Sequence, residues 1–175
     1  MKFKATKSMS AAELMGRLGS DPDWVRRNAE REAQRETAAT RMREKMMPEE
    51  SPIVAELSSI GINVSSVWEL VNAKWSYPAA IPILTTYLQQ VHHPVLREGI
   101  ARALTVPEAK GISGHVIVNE LRQAESHKIR WVLANALTVV ADASLMETLK
   151  ALISDNRYAD VRERLKVAVE NIAAT

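Results

Sequence analysis

The stretch "KIRWVLANAL", residues 128–137, reads first as an amphipathic helix. Ile129, Leu133, Ala136 and Leu137 recur at the three- and four-residue spacing that places side chains on one helical face. Arg130 and Trp131 interrupt that apolar series. Comparison with the rest of the chain separates what in this stretch belongs to a scaffold from what is particular to it.

Two other segments align with it without gaps: "VLREGIARAL" (95–104) and "DVRERLKVAV" (160–169). Arg97, Arg130 and Arg162 fall 33 and 32 residues apart. Leu96, Ile129 and Val161 precede them, and Ile100, Leu133 and Leu165 follow three residues later. Upstream of each segment a second helical pattern keeps the same register, with Leu84, Ile117 and Leu149 in one row and Leu88, Leu121 and Ile153 in another. The turns between them are "QQVHHP", "QAESH" and "DNRYAD". Each unit is therefore helix, short turn, helix. One such pair cannot bury its apolar face alone, but stacked pairs share a continuous core.

"AIPILTTYLQQ…VLREGIARAL" and "DVRERLKVAV" resemble HEAT repeats. The Ala80-x-Pro82-x-Leu84 start of a first helix and the apolar-Arg pair opening each second helix carry the resemblance, which covers about residues 78–173. It implies an all-α fold, a short right-handed α-solenoid of three HEAT-like pairs whose second helices line the concave surface. It also implies that the recurrent Arg packs at the boundary between repeats and bonds turn carbonyls or an acid. The pattern departs from the family in the turns. An acid is expected seven residues before the Arg; Asp155 supplies it in the third unit, whereas Gln90 and Gln123 stand there in the others. An Asp–Arg ladder between units is thus expected to be incomplete.

Residues 1–9 read as a mobile basic tail, and 10–77 as a helical N-terminal region ahead of the repeats at 78–175. Ser10 and Glu13 form a capping box for a short helix ending near Gly19. Asp21 caps a second helix, with Pro22 at its first position. That helix is expected to run ~25 residues, or ~37 Å, and to stop at the break "PEESP" (48–52). Its apolar stripe is thin: Trp24, Ala38, Met42 and Met46. "PIVAELSSIG" and "VSSVWELVNA" then read as two short helices, a candidate degenerate repeat at 52–73.

Composition removes several chemistries. The chain of 175 residues has no cysteine, so disulfides, thiolate metal sites and Cys nucleophiles are excluded. No apolar run follows Lys2, Lys4 and Lys7, and no stretch approaches the ~20 apolar residues of a membrane span; the expected location is cytoplasmic. The net charge of +2 comes from 23 basic and 21 acidic residues, so the chain is balanced. Over 21–46, seven basic side chains face six acidic ones in alternation, a solvated helix laced with i,i+3 and i,i+4 pairs. His92, His93, His115 and His127 show no metal-binding spacing, and no cofactor is expected. No Gly-rich phosphate loop with its Lys, no Gly-x-Ser-x-Gly and no carboxylate couple on an apolar wall is present. No small-molecule substrate suggests itself, and the expectation is a protein that is not an enzyme.

Trp131 is the informative residue. With Ile129, Leu133, Ala136 and Leu137 facing inward, it points away, beside Asn135 and Thr138. Its counterparts are Glu98 and Glu163, both expected in water. Trp131 then either meets a partner, as exposed Trp does at binding hot spots, or is covered by the chain's own N-terminal helix through Met42 and Met46. The expected function is binding of a protein partner on the concave face by Trp131, Asn135 and Arg102, with Arg97 and Arg130 at the rim. Resemblance to this family suggests an adaptor or a toxin-neutralising partner. Nucleic-acid binding is the alternative, opposed by Glu98, Glu163 and Glu170 in the groove.

Overall fold

The computed structural model describes residues 10–174. Among them every regular element is helical: α1 (Ala11–Gly19), α2 (Pro22–Ser59), α3 (Val67–Val71), α4 (Ile81–Gln90), α5 (Pro94–Ala103), α6 (Gly114–Gln123), α7 (His127–Val140), α8 (Met146–Ser154) and α9 (Arg162–Ala173). The basic tail at 1–9 lies outside the described residues. The chain divides into two compact units, Met1–Lys45 and Met46–Thr175. Residues 46–77 thus fall in the second unit with α4–α9.

In the first unit both caps form. Glu13 N–H donates to Ser10 Oγ at 3.2 Å, and Ser10 N–H donates back to Glu13 Oε2 at 2.9 Å. Asp21 Oδ1 accepts from the N–H groups of Asp23 and Trp24. From Pro22 to Lys45 the helix is exposed apart from the half-buried Trp24 and Asn28. Its polar face carries pairs such as Arg26–Asp23 at 3.0 Å and Asn28–Glu32 at 3.0 Å.

The break expected at 48–52 does not occur: α2 continues through Pro48 and Pro52 to Ser59. Each interior proline deletes a backbone donor and crowds the preceding turn, at a cost of about 3 kcal/mol. Tertiary anchors offset that cost. Met46, Glu50, Ile53 and Leu57 recur at four, three and four residues and are all buried. Between the prolines, two adjacent carboxylates hold distant backbone. Glu49 Oε2 accepts from the N–H groups of His92 and His93 at 2.7 and 3.0 Å. Glu50 Oε1 accepts from Val67 N–H at 2.9 Å and Ser66 Oγ at 2.7 Å, completing the N-terminus of α3. The helix ends where Gly61 takes φ 85°. There Ile62 N–H returns to Leu57 O at 2.9 Å and Gly61 N–H to Ser58 O at 2.9 Å, the bonds of a Schellman cap.

From α4 onward each helix packs on its chain neighbour or on the next but one. α4 packs on α5, α6 on α7 and α8 on α9; α4 also meets α6, α5 meets α7, and α7 meets α9. α3 packs on α5 at the near end. The rows in register by sequence are the core. Leu84, Ile117 and Leu149 are fully buried, as are Leu88 with Leu121 and Ile100 with Leu133 and Leu165. Each such side chain contributes roughly 1.5–3 kcal/mol. Gly99 lets α3 approach α5, since a Cβ there would sit 3.0 Å from the Trp68 indole nitrogen. Buried Tyr77 ties the same helices together, its hydroxyl donating to Ala103 O at 2.8 Å and lying 3.2 Å from Leu70 O.

Candidate functional site

The three recurrent arginines lie where the pairs meet their turns, and each is engaged within the chain. Arg97 is paired with buried Glu120 of α6. Arg130 donates from Nη1 to the carbonyls of Ala124 and Glu125, at 3.2 and 2.9 Å. Its Nε and Nη2 reach Asp160 Oδ2 at 2.9 and 2.7 Å. Arg162 donates to Ile153 O at 2.9 Å and to Asn156 Oδ1 at 3.1 Å. So Arg97 and Arg130 reach forward to acids of the following pair. Those acids are Glu120 and Asp160, at positions other than the turn site seven residues upstream. Asp155, which holds that site, instead bonds Arg157 at 2.7 Å.

Asp160 receives both Arg130 and, at 2.8 Å, His127 Nδ1. Partial burial pushes its carboxyl upward, but the bonds from Arg130 and His127 outweigh that and leave it below its ordinary value. The cluster is an electrostatic tie between α7 and the turn before α9. A shallow cleft of about 350 Å³ opens beside it, lined by residues that include His92, Arg97, Gln123, Ser126 and Ile129. It contains no nucleophile–base or paired-carboxylate geometry.

The second-helix face is chemically different. On α7, Trp131, Asn135 and Thr138 are half-buried on one outward face, while Ile129, Leu133, Ala136 and Leu137 are buried opposite. Arg164 of α9 lies over the Trp131 ring, its guanidinium carbon 5.0 Å from the centroid. One turn and two turns further along α9, Val167 is 37% exposed and Asn171 Nδ2 donates to Thr138 O at 2.8 Å. Val167 thus lies between two points at which α9 touches α7.

The α5 side of this face corrects an expectation. Glu98 is 5% exposed, not solvated. Its carboxylate pairs with Arg102 at 3.0 Å and with Lys128 of α7 at 2.5 Å. Burial is tolerable because two cations share one acid; an unpaired carboxylate there would be costly. Glu163 on α9 is exposed as expected and pairs with Lys166 at 2.7 Å. Arg102, Lys128, Trp131, Asn135 and Arg164 therefore occupy neighbouring positions across three helices, with Arg97 and Arg130 directed into the turn contacts instead.

Arg164 was missed by sequence reasoning, although its place in α9, one residue past the counterpart of Trp131, could have signalled it. Trp75 was missed too. It is 50% exposed in the connector before α4 and packs edge-on against buried Tyr77, with centroids 5.5 Å apart. Among the described residues no group of three or more His, Asp or Glu is placed to hold a metal ion. No described helix is long and apolar enough to cross a membrane. Comparison with protein-family models, with curated proteins and with solved structures finds no match to this chain.

Proposed function

We propose that this protein is a non-enzymatic binding module. In this reading the helix pairs form a short right-handed α-solenoid of HEAT-like repeats and receive a protein partner on the face of the second helices. The order of helix contacts supports the stacking: α3, α5, α7 and α9 touch in sequence, with α4 and α6 meeting behind them. The end of α2 with α3 then stands as a degenerate pair ahead of the three regular ones. In HEAT-like solenoids second helices line the inner curve, an extended surface suited to a polypeptide rather than to a small substrate.

The observation that carries the reading is Trp131. The indole packs partly against the core yet keeps part of its surface exposed, at a position where the other units place glutamate. Aromatic and Arg side chains flanked by polar groups are the residues that dominate binding energy at protein interfaces. Exposed Glu163 and Glu170 on α9 favour a protein over a polyanion. By analogy at the level of fold, the role is that of a small adaptor or neutralising partner.

Affinity capture from the native host tests the proposal, performed in parallel with the unaltered chain and Trp131→Ala. A specific protein recovered by the first and lost by the second is the expected result. Equal recovery by both forms removes this face as the site.

A further inference from the structure

We infer that the segment received by this face is acidic, its carboxylates set beside an apolar side chain; the inference rests on the binding reading above and names the partner's chemistry. One cation, Arg164, lies on the Trp131 ring, and two more, Arg102 and Lys128, converge on Glu98, Lys128 standing one helical turn before Trp131 on α7. The acid among them, Glu98, is buried and shared by two of the three. Its single charge cannot neutralise both, so a positive surplus faces outward where the carboxylate itself does not. Arg164 has no carboxylate within ion-pair distance among the described residues; its recorded contact is the indole.

An incoming carboxylate would meet that surplus at modest desolvation cost, because the cations remain partly in water: Arg102 side chain 38% exposed, Lys128 69%. A guanidinium stacked on an aromatic face is already oriented, so less freedom is lost when its N–H groups bond a carboxylate. The apolar requirement comes from Trp131 and the exposed Val167, three residues along α9 from Arg164. Elsewhere on α9 Glu163 is already paired to Lys166 and Glu170 is exposed, so the face gains no further positive surplus there. The acidic segment therefore crosses α5 and α7 and ends at Arg164. Nucleic acid would gain only three phosphate contacts here and would waste the apolar positions.

The test is selection from a display library of random short peptides on the full chain, with a single-stranded oligonucleotide as a second probe. Arg164→Glu reverses a surface charge that no ion pair in the fold depends on, and thermal melting verifies that it and Trp131→Ala remain folded. The expected winners combine Asp or Glu with Leu, Phe or Tyr. They lose affinity with added salt and bind Arg164→Glu and Trp131→Ala about tenfold more weakly or worse. Winners that depend on Trp131 but are neutral or basic, or that bind Arg164→Glu undiminished, overturn the acidic partner while the binding face stands. Winners indifferent to Trp131→Ala, or no winners, overturn the face and the inference together. Trp131-dependent capture of the oligonucleotide alone overturns both in favour of nucleic acid.

Discussion

Glu98 illustrates what a single residue in a repeat can hide. At its position Trp131 and Glu163 are surface residues, and nothing local distinguishes the glutamate of α5 from the exposed one of α9. What differs is a cation from the next pair: Lys128 crosses to it at 2.5 Å while Arg102 approaches from within its own helix. Removing either cation leaves one pair intact; removing both leaves a buried charge alone. Arg102→Ala and Lys128→Ala should each cost about 1 kcal/mol, and the double variant about 3 kcal/mol or more, an excess over additivity that urea denaturation can read. Additive costs would mean the carboxylate is solvated. Glu49 offers a separate test. Burial pushes its pKa up, but the N–H groups of His93 and His92 and the neighbouring imidazoles win, leaving it below its ordinary 4.5. The unfolded chain therefore takes up the proton first as pH falls. The stabilisation is complete above about 4.5 and is lost as pH drops through the lower folded value. Glu49→Gln should flatten that part of the stability–pH curve; an unchanged curve would show that the two N–H bonds carry none of it.

Among the elements, those written by local chemistry were legible and those fixed by distant partners were not. Ser10 with Glu13 and Asp21 with Pro22 marked two helix starts, and the register of Leu84, Ile117 and Leu149 marked three first helices. Pro48 and Pro52 pointed the other way, because a proline reports its missing donor but not the neighbours that hold its helix together. The carboxylates between them do so through residues 16 to 44 positions away. Likewise Arg97 and Arg130 were legible as boundary residues, but their acids, Glu120 and Asp160, follow no repeat spacing. If Glu50 fixes the junction of α2 and α3, Glu50→Ala should cost about 2 kcal/mol by leaving Val67 N–H without its acceptor in a buried place. Glu50→Gln keeps an acceptor oxygen and should recover half or more of that. Equal losses from both, measured by chemical denaturation, would assign the cost to charge instead of to the bond.

For the whole molecule, the location of the core decides which parts of the chain depend on which. Among the described residues every buried hydrophobic side chain lies at or beyond Met46. The 22–45 stretch of α2 carries only a thin apolar stripe, and an isolated helix of that kind is marginal in water. The candidate site is on α5, α7 and α9, all in the second unit. A chain beginning at Met46 should therefore fold with a single cooperative transition and a melting temperature within a few degrees of the full chain. The proline argument works in its favour: with the helix starting at Met46, Pro48 falls in the first turn, where no N–H is needed and its fixed φ suits the helix. Circular dichroism should show helical signal lost in proportion to residues 10–45, while a peptide of 22–45 alone shows little helix. The alternative outcome is specific. A shortened chain that melts much earlier, or in two steps, would mean that the anchors Ile53 and Leu57 cannot hold their end of the core without the turns of α2 that precede them. The prolines would then mark a true weak point that the long helix spans.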